Sequence, residues 1–119
     1  MIDAHFAESL AISYADEDYH GLYELVWGLN SAHPEVSHQD RIRAAQAALH
    51  SLVSRGLVAV FSADEPLAAP EPVPAAVVQQ IIADPAAWLP PNERGSPHYC
   101  FTTTEDGERR YFAGEFTSL

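Results

Sequence analysis

Apolar residues recur at helical spacing in two segments of the chain. Over about residues 18–30 the apolar stripe consists of Leu22, Leu25, Val26 and Leu29. Over about residues 39–55 it consists of Ile42, Ala45, Leu49, Leu52 and Val53. Because side chains three and four residues apart share one face of a helix, these stripes predict two amphipathic helices that pack across each other.

Capping signals place the ends of these helices. The acidic residues 16–18 favour the start of the first helix, because carboxylates there cap free N–H groups and oppose the positive end of the helix dipole. Ser37 and Asp40 have the spacing of a capping box at the start of the second helix, and Gly56 favours its end. Residues 2–14 mix helical and alternating spacing, which predicts a short helix that passes into an extended arm.

Two apolar runs predict strands that pair with each other, Leu57–Phe61 and Tyr99–Thr103. Between them, residues 62–97 hold eight of the nine prolines and read as an insert. The spacing of apolar residues inside it predicts a short helix over about 74–83, and Asp84 followed by a proline predicts one further turn. Residues 92–97 are predicted to be an exposed loop.

The last segment, residues 104–116, leaves two alternatives open. Asp106-Gly107 suits a hairpin turn, whereas the spacing of Thr103 and Asp106 suits the start of a helix. The helix is favoured because aromatic residues follow at helical intervals.

Two motifs carry a resemblance to a known family. Leu52-Val-Ser-Arg-Gly-Leu-Val58 resembles the end of a recognition helix that enters a wing, and Tyr99-Cys-Phe-Thr-Thr-Thr-Glu-Asp-Gly107 resembles a last wing strand that enters a closing helix. Together with the two helices, residues 18–61 and 98–116 are similar to winged helix-turn-helix regulators of the MarR and PadR type. The resemblance implies one α+β, winged-helix-like domain over residues 1–119, with helices, a small antiparallel sheet and the Pro-rich segment in place of a short wing.

The resemblance also implies that the 39–55 helix faces DNA. Its candidate DNA-binding residues have long side chains that reach base edges or phosphates: Gln39, Arg41, Arg43, Gln46 and Arg55. Arg43 is the best placed, since the rest of the outer face is mainly alanine and serine. Such a flat face suits another backbone, which could be the insert, a partner or the second subunit of a homodimer.

The charge of the chain argues against nucleic acid. The sequence has seventeen carboxylates, six arginines and no lysine, for a net charge of -11. Such a surface repels phosphate and attracts basic partners. Residues 1–30 hold six of the acids and no arginine. We therefore expect a basic protein partner and no binding to nucleic acid.

The candidate partner-binding residues combine acids with aromatic and polar side chains on the first helix and before it: Asp16, Glu17, Asp18, His20, Tyr23, Glu24 and Trp27. Tyr23 and Trp27 leave two alternatives open. They either pack on another element of the same chain or anchor a partner, since Trp and Tyr dominate binding hot spots.

No pattern in the sequence indicates catalysis, a metal or a cofactor. His33 and His38 lack the spacing of a metal-binding pair on one helix face. Cys100 has no neighbouring cysteine or basic residue, which is typical of an inert buried thiol. The sequence also lacks a phosphate-binding loop and a nucleophile motif. We expect a protein that is not an enzyme.

The same observations bear on location. The longest apolar segment is far shorter than the roughly 20 residues of a membrane span, the N-terminus has no basic residue, and one cysteine cannot form an intrachain disulfide. These features predict a cytoplasmic protein without a membrane segment.

Three functions remain: an acidic interaction module of the inhibitor, antitoxin, immunity or adaptor type, a DNA-binding regulator, and a structural subunit of a larger assembly.

Overall fold

The computed structural model describes residues 2–63, 69–90 and 98–116. In these residues it has five α-helices, one 3₁₀ helix and a four-stranded antiparallel sheet, which confirms the predicted α+β class. In chain order the elements are α1 (Ala4–Glu17), β1 (His20–Gly21), α2 (Leu22–Ala32), α3 (His38–Ser54), β2 (Val58–Ala63), β3 (Glu71–Pro72), α4 (Ala75–Ala83), the 3₁₀ helix (Pro85–Trp88), β4 (His98–Thr103) and α5 (Glu105–Phe112).

The first helix, α1, is continuous over 14 residues. The predicted short helix with an extended arm over residues 2–14 is therefore wrong. Leu10 and Tyr14, which suggested alternation, are one helical turn apart and lie on the same face. The buried residues of α1 are mainly alanines, namely Ala7, Ala11, Ile12 and Ala15. Small side chains let α1 lie close to α3, the helix that it contacts most.

The start of α2 differs from the prediction. Residues 16–18 do not begin this helix, because Asp16 and Glu17 end α1 and Asp18 is its C-cap. The helix begins at Leu22, after the two-residue strand β1. The backbone N–H of Gly21 donates to Oε2 of Glu24 at 2.5 Å, so Glu24 supplies the cap that the acids upstream were expected to supply.

The predicted limits of α3 are confirmed. Ser37 Oγ accepts a hydrogen bond from the backbone N–H of Asp40 at 3.2 Å. Gly56 follows the helix with a φ of 74°, a left-handed conformation that glycine adopts without a Cβ penalty. The chain then turns directly into β2.

The sheet has the strand order β1-β4-β2-β3. The predicted pairing of β2 with β4 is confirmed: it is antiparallel and runs from Val58 opposite Thr103 to Ala63 opposite His98. β1 pairs with the other side of β4, and β3 pairs with β2. Phe101 lies in the centre of the sheet and is fully buried. The sheet thus closes the core formed by α1, α2 and α3.

The described part of the Pro-rich segment covers one side of α3. Its predicted helix is confirmed as α4, and the predicted further turn is the 3₁₀ helix, in which Asp84 Oδ1 accepts from the backbone N–H of Ala86 at 3.0 Å. The predicted loop at 92–97 lies outside the described residues. The helical alternative for the last segment is confirmed by α5. Its predicted cap is wrong by one residue: Thr103 ends β4, and Thr104 is the N-cap that accepts from the backbone N–H of Gly107. Across residues 2–63, 69–90 and 98–116, no helix combines the length and apolar character that crossing a membrane requires.

Candidate partner-binding surface

The residues predicted to bind a partner lie where α1 passes through β1 into α2. We call this set the Trp27 surface: Asp16, Glu17, Asp18, His20, Tyr23, Glu24 and Trp27. The structure brings His20, Glu24 and Trp27 together in the lining of one groove. Glu17 Oε2 lies 3.9 Å from Nε2 of His20, and the rings of Tyr23 and Trp27 are in contact. Asp16 is half-buried and Asp18 is exposed at the end of α1.

Trp27 is the largest exposed feature of this surface. Trp27 has 56% of its surface exposed, whereas Leu25 and Leu29 on the same helix are fully buried. The alternative in which Trp27 packs into the core is therefore wrong. Tyr23 is half-buried and meets Trp27 edge to face, with 4.8 Å between ring centroids. This contact supports the indole without covering it, so Trp27 remains available to another molecule.

The acids that end α1 lie at the unfavourable end of that helix. Helix C-termini carry partial negative charge, so carboxylates there lower stability where lysine or arginine would raise it. α1 has no basic residue in its last turn. Asp18 Oδ1 accepts the backbone N–H of Tyr19 at 2.7 Å and Glu17 lies 3.9 Å from His20, but the charges of Asp16, Glu17 and Asp18 oppose the dipole of α1.

His20 is held by its neighbours in one orientation. Its Nδ1 lies 3.2 Å from the backbone carbonyl oxygen of Asp18. A carbonyl can only accept a hydrogen bond, so Nδ1 carries a proton and Nε2 faces Glu17. The imidazole also stacks on the ring of Tyr14, with 5.1 Å between centroids and 15° between planes.

A groove of about 290 Å³ opens beside Trp27. Its lining combines aromatic, acidic and small residues: Tyr14, His20, Glu24, Trp27, Gly28 and Ser31. The hydroxyl of Tyr14 lies against Gly28, where a Cβ would overlap its oxygen. The missing side chain at Gly28 thus leaves room for the end of the Tyr14 side chain.

Three groove residues were missed in the sequence analysis, namely Tyr14, Gly28 and Ser31. Tyr14 was missed because it was assigned to an extended arm. Gly28 and Ser31 carried a signal, since they follow Glu24 and Trp27 at helical spacing and therefore share a face with them.

Burial and two neighbouring carboxylates, Glu17 and Glu24, raise the pKa of the tyrosines in this region. Burial raises the pKa of Tyr14, and the charges of Glu17 and Glu24 raise it further. The pKa of Tyr23 is also raised, first by burial and then by Glu24. The tyrosines therefore stay neutral hydrogen-bonding groups while the carboxylates set a negative potential.

Cys100 lies on β4 opposite Gly21, behind the Trp27 surface. Burial raises the pKa of its thiol to about 11, with a further contribution from Glu24. The thiolate is the nucleophilic form, so Cys100 has the character of an inert thiol near neutral pH. Within the described part of the chain, no group of three or more His, Cys, Asp or Glu side chains is placed to hold a metal ion.

The candidate DNA-binding residues are mostly engaged within the chain. Arg41 Nη2 donates to the carbonyl oxygen of Pro34 at 3.0 Å, and Gln46 Nε2 donates to that of Ile82 at 3.0 Å. Arg55 Nη1 donates to Glu8 Oε1 at 2.8 Å.

Gln39 and Arg43 stay exposed, although Arg43 Nη1 lies 3.8 Å from Asp40 Oδ1. α4 borders the outer face of α3 on one side through the hydrogen bond between His50 and Gln79. α1 borders it on the other side, where Ser51 and Arg55 bind Glu8. What remains open between them is a narrow strip around Arg43.

Comparison of the chain with protein-family models, curated proteins and solved structures found no match.

Proposed function

We propose that this protein is a non-enzymatic, acidic interaction module on a winged-helix-like scaffold, and that it binds a basic region of another protein through the Trp27 surface. The observation that carries the proposal is the exposed indole of Trp27, which lines a groove together with Glu24. Exposed aromatic residues of this kind become binding hot spots when a partner buries them. Inhibitors, antitoxins, immunity proteins and adaptors are the types of module that fit this description.

The charge distribution supports a basic partner. Residues 1–30 hold six acids and no lysine or arginine, so nothing in this segment neutralises the Trp27 surface apart from a histidine. Opposite charges steer two proteins together and raise the association rate, whereas well-packed aromatic contacts mainly slow dissociation. The acids and Trp27 therefore have separate roles in the proposal.

The acids at the end of α1 support a role in binding because they do not serve the helix. Each carboxylate near a helix C-terminus is unfavourable by roughly 0.3–1 kcal/mol. Functional residues often reduce stability in this way.

The arrangement of elements supports the winged-helix-like scaffold. α2 and α3 precede the antiparallel pair of β2 and β4, and α5 follows β4 directly. The engagement of Arg41, Gln46 and Arg55 within the chain supports a scaffold that contacts protein and not DNA.

The test begins with co-purification of the partner from the native host, followed by kinetics of the purified pair. Trp27→Ala should speed dissociation at an unchanged association rate. Reversal of Asp16, Glu17 and Asp18 to lysine should slow association and flatten its dependence on salt.

A matched control variant reverses the charge of three acids that lie outside the Trp27 surface. Glu105, Asp106 and Glu108 lie in the first turn of α5, and their change to lysine alters the net charge by the same amount. If the two triple variants slow association equally, the acids of the Trp27 surface have no special role. If association ignores both salt and charge reversal, acidic steering is refuted.

The second candidate is a DNA-binding regulator, which the exposed Arg43 on α3 favours. Under the main proposal, binding to duplex DNA at physiological salt should be no tighter than about 10⁻⁴ M, the weak end of non-specific affinity. Micromolar binding that weakens with Arg43→Ala would favour the regulator instead.

A further inference from the structure

We infer that the groove beside Trp27 receives a single arginine side chain of the partner. This inference rests on the proposed function and adds to it the chemical group that is recognised. It is carried by the aromatic residues that line the groove, by Glu24 in the same lining and by the size of the space.

Three of the residues that line the groove are aromatic, namely Tyr14, His20 and Trp27. The rings of Tyr14 and His20 stack with 5.1 Å between centroids. The indole of Trp27 is 56% exposed and meets Tyr23 edge to face. Faces of tryptophan and tyrosine rings attract cations, and the planar guanidinium of arginine also stacks on them.

Glu24 also lines the groove. Its Oε2 accepts the backbone N–H of Gly21 at 2.5 Å, which holds the carboxylate in one orientation. The ion pairs of the described arginines involve other acids, namely Glu8, Asp40, Asp106 and Glu115. The groove thus combines Glu24 with aromatic side chains, and among the described residues its lining includes no lysine or arginine, His20 being the one basic residue there.

The size of the groove favours one side chain over a larger ligand. Its volume of about 290 Å³ is at the lower limit of small-molecule sites, which span about 300–1,000 Å³. Arginine fits the chemistry better than lysine, because a flat guanidinium can stack on an indole and donate two hydrogen bonds to a carboxylate at once.

The two tryptophans allow a direct test by NMR. The probes are acetyl-Gly-Gly-Arg-Gly-Gly-amide and the same peptide with lysine or citrulline, the neutral isostere of arginine. The arginine peptide should shift the indole N–H signal of Trp27 with a dissociation constant on the order of 1 mM. The signal of Trp88 should not move, since its indole is buried and donates to the carbonyl of Ile82. The lysine peptide should bind more weakly, and the citrulline peptide at least tenfold more weakly.

Glu24→Gln tests the carboxylate without removing the helix cap, because the amide oxygen can still accept the Gly21 N–H. It should weaken the arginine peptide about tenfold. Glu108→Gln makes the same charge change on the exposed face of α5 and should weaken it less than twofold. Equal binding of the arginine and citrulline peptides, or equal effects of the two variants, would overturn the inference.

A peptide with four Arg-Gly repeats separates this inference from the proposed function. One possible result is that the repeat peptide binds and loses affinity in the Trp27→Ala protein, while the single-arginine and citrulline peptides bind equally well. The proposed function then stands and the arginine site is refuted. If neither peptide shifts Trp27, both are refuted.

Discussion

The two tryptophans of the chain differ in environment: Trp27 is exposed on α2, and Trp88 is buried in the 3₁₀ helix that follows α4. Trp88 is 2% exposed, and its Nε1–H donates to the carbonyl oxygen of Ile82 at 2.9 Å. The same carbonyl accepts from Gln46, so two side chains satisfy the C-terminal end of α4. Trp27 is mainly exposed and contacts another ring edge to face. Trp88 is therefore part of the buried core, whereas Trp27 exposes apolar area that the rest of the chain does not cover.

The acids show the same contrast. Three acids in the first turn of α5 lie at the positive end of the helix dipole, and two arginines occupy its last turn. Three acids at the end of α1 lie at the negative end, and the last turn of that helix has no basic residue. Because the first set serves its helix and the second opposes its helix, a function outside the fold is the better account of the acids at the end of α1.

Trp88→Ala should produce the largest loss of stability. It removes a buried side chain and a hydrogen bond, and we expect the free energy of unfolding to fall by about 3–5 kcal/mol. Urea unfolding followed by circular dichroism measures this. A loss below about 1 kcal/mol would show that the 3₁₀ helix is not part of the cooperative core.

Cys100 should react slowly although it lies just behind the Trp27 surface. With the pKa raised by burial to about 11, the thiol stays protonated at pH 8, and its thiolate fraction grows only as the pH approaches that value. Alkylation by iodoacetamide at pH 8 should be on the order of a hundredfold slower than in urea-unfolded protein. Equal rates would mean that the sheet opens readily beneath the surface.

Neutralisation of the two acid sets should change stability in opposite directions. Changing Asp16, Glu17 and Asp18 to the matching amides should raise the free energy of unfolding by about 1 kcal/mol, because it removes carboxylates from a helix C-terminus. The same change at Glu105, Asp106 and Glu108 should lower it by a similar amount. Thermal melts at low salt give both values, and shifts of the same sign would contradict the contrast between the two helices.

Gln46→Ala should cost about 1 kcal/mol of stability, the typical value of one partly buried hydrogen bond. Gln39→Ala is its control, since Gln39 is exposed on the same helix. Equal stability of the two variants would show that the bond to Ile82 contributes nothing, and would return Gln46 to the set of residues free to contact DNA.

Trp27→Ala should have the smallest effect on stability, within about 0.5 kcal/mol, as for other surface substitutions. In Trp88→Phe protein, acrylamide should quench the fluorescence of Trp27 strongly, whereas Trp88 in Trp27→Phe protein should be protected. A large destabilisation by Trp27→Ala would show that this indole belongs to the core after all.

The sequence by itself determined the elements that depend on local chemistry. Helix α3 follows from its apolar periodicity, Ser37 cap and closing Gly56, and the pairing of β2 with β4 follows from two short apolar runs. The choice of seven residues from 16 to 27 as one candidate surface also came from sequence, because neighbours in sequence around a short connection stay neighbours in space.

Only the tertiary structure decided between the alternatives that local sequence patterns left open. Acids suit a helix start locally, yet residues 16–18 end α1, because burial of its alanines against α3 extends that helix and Glu24 caps α2 instead. Nor could spacing show that the Tyr14 hydroxyl would meet Gly28, since this contact joins two different helices. The exposure of Trp27 was likewise decided by packing: a helical stripe shows which residues share a face, but only the neighbouring elements determine whether that face is covered.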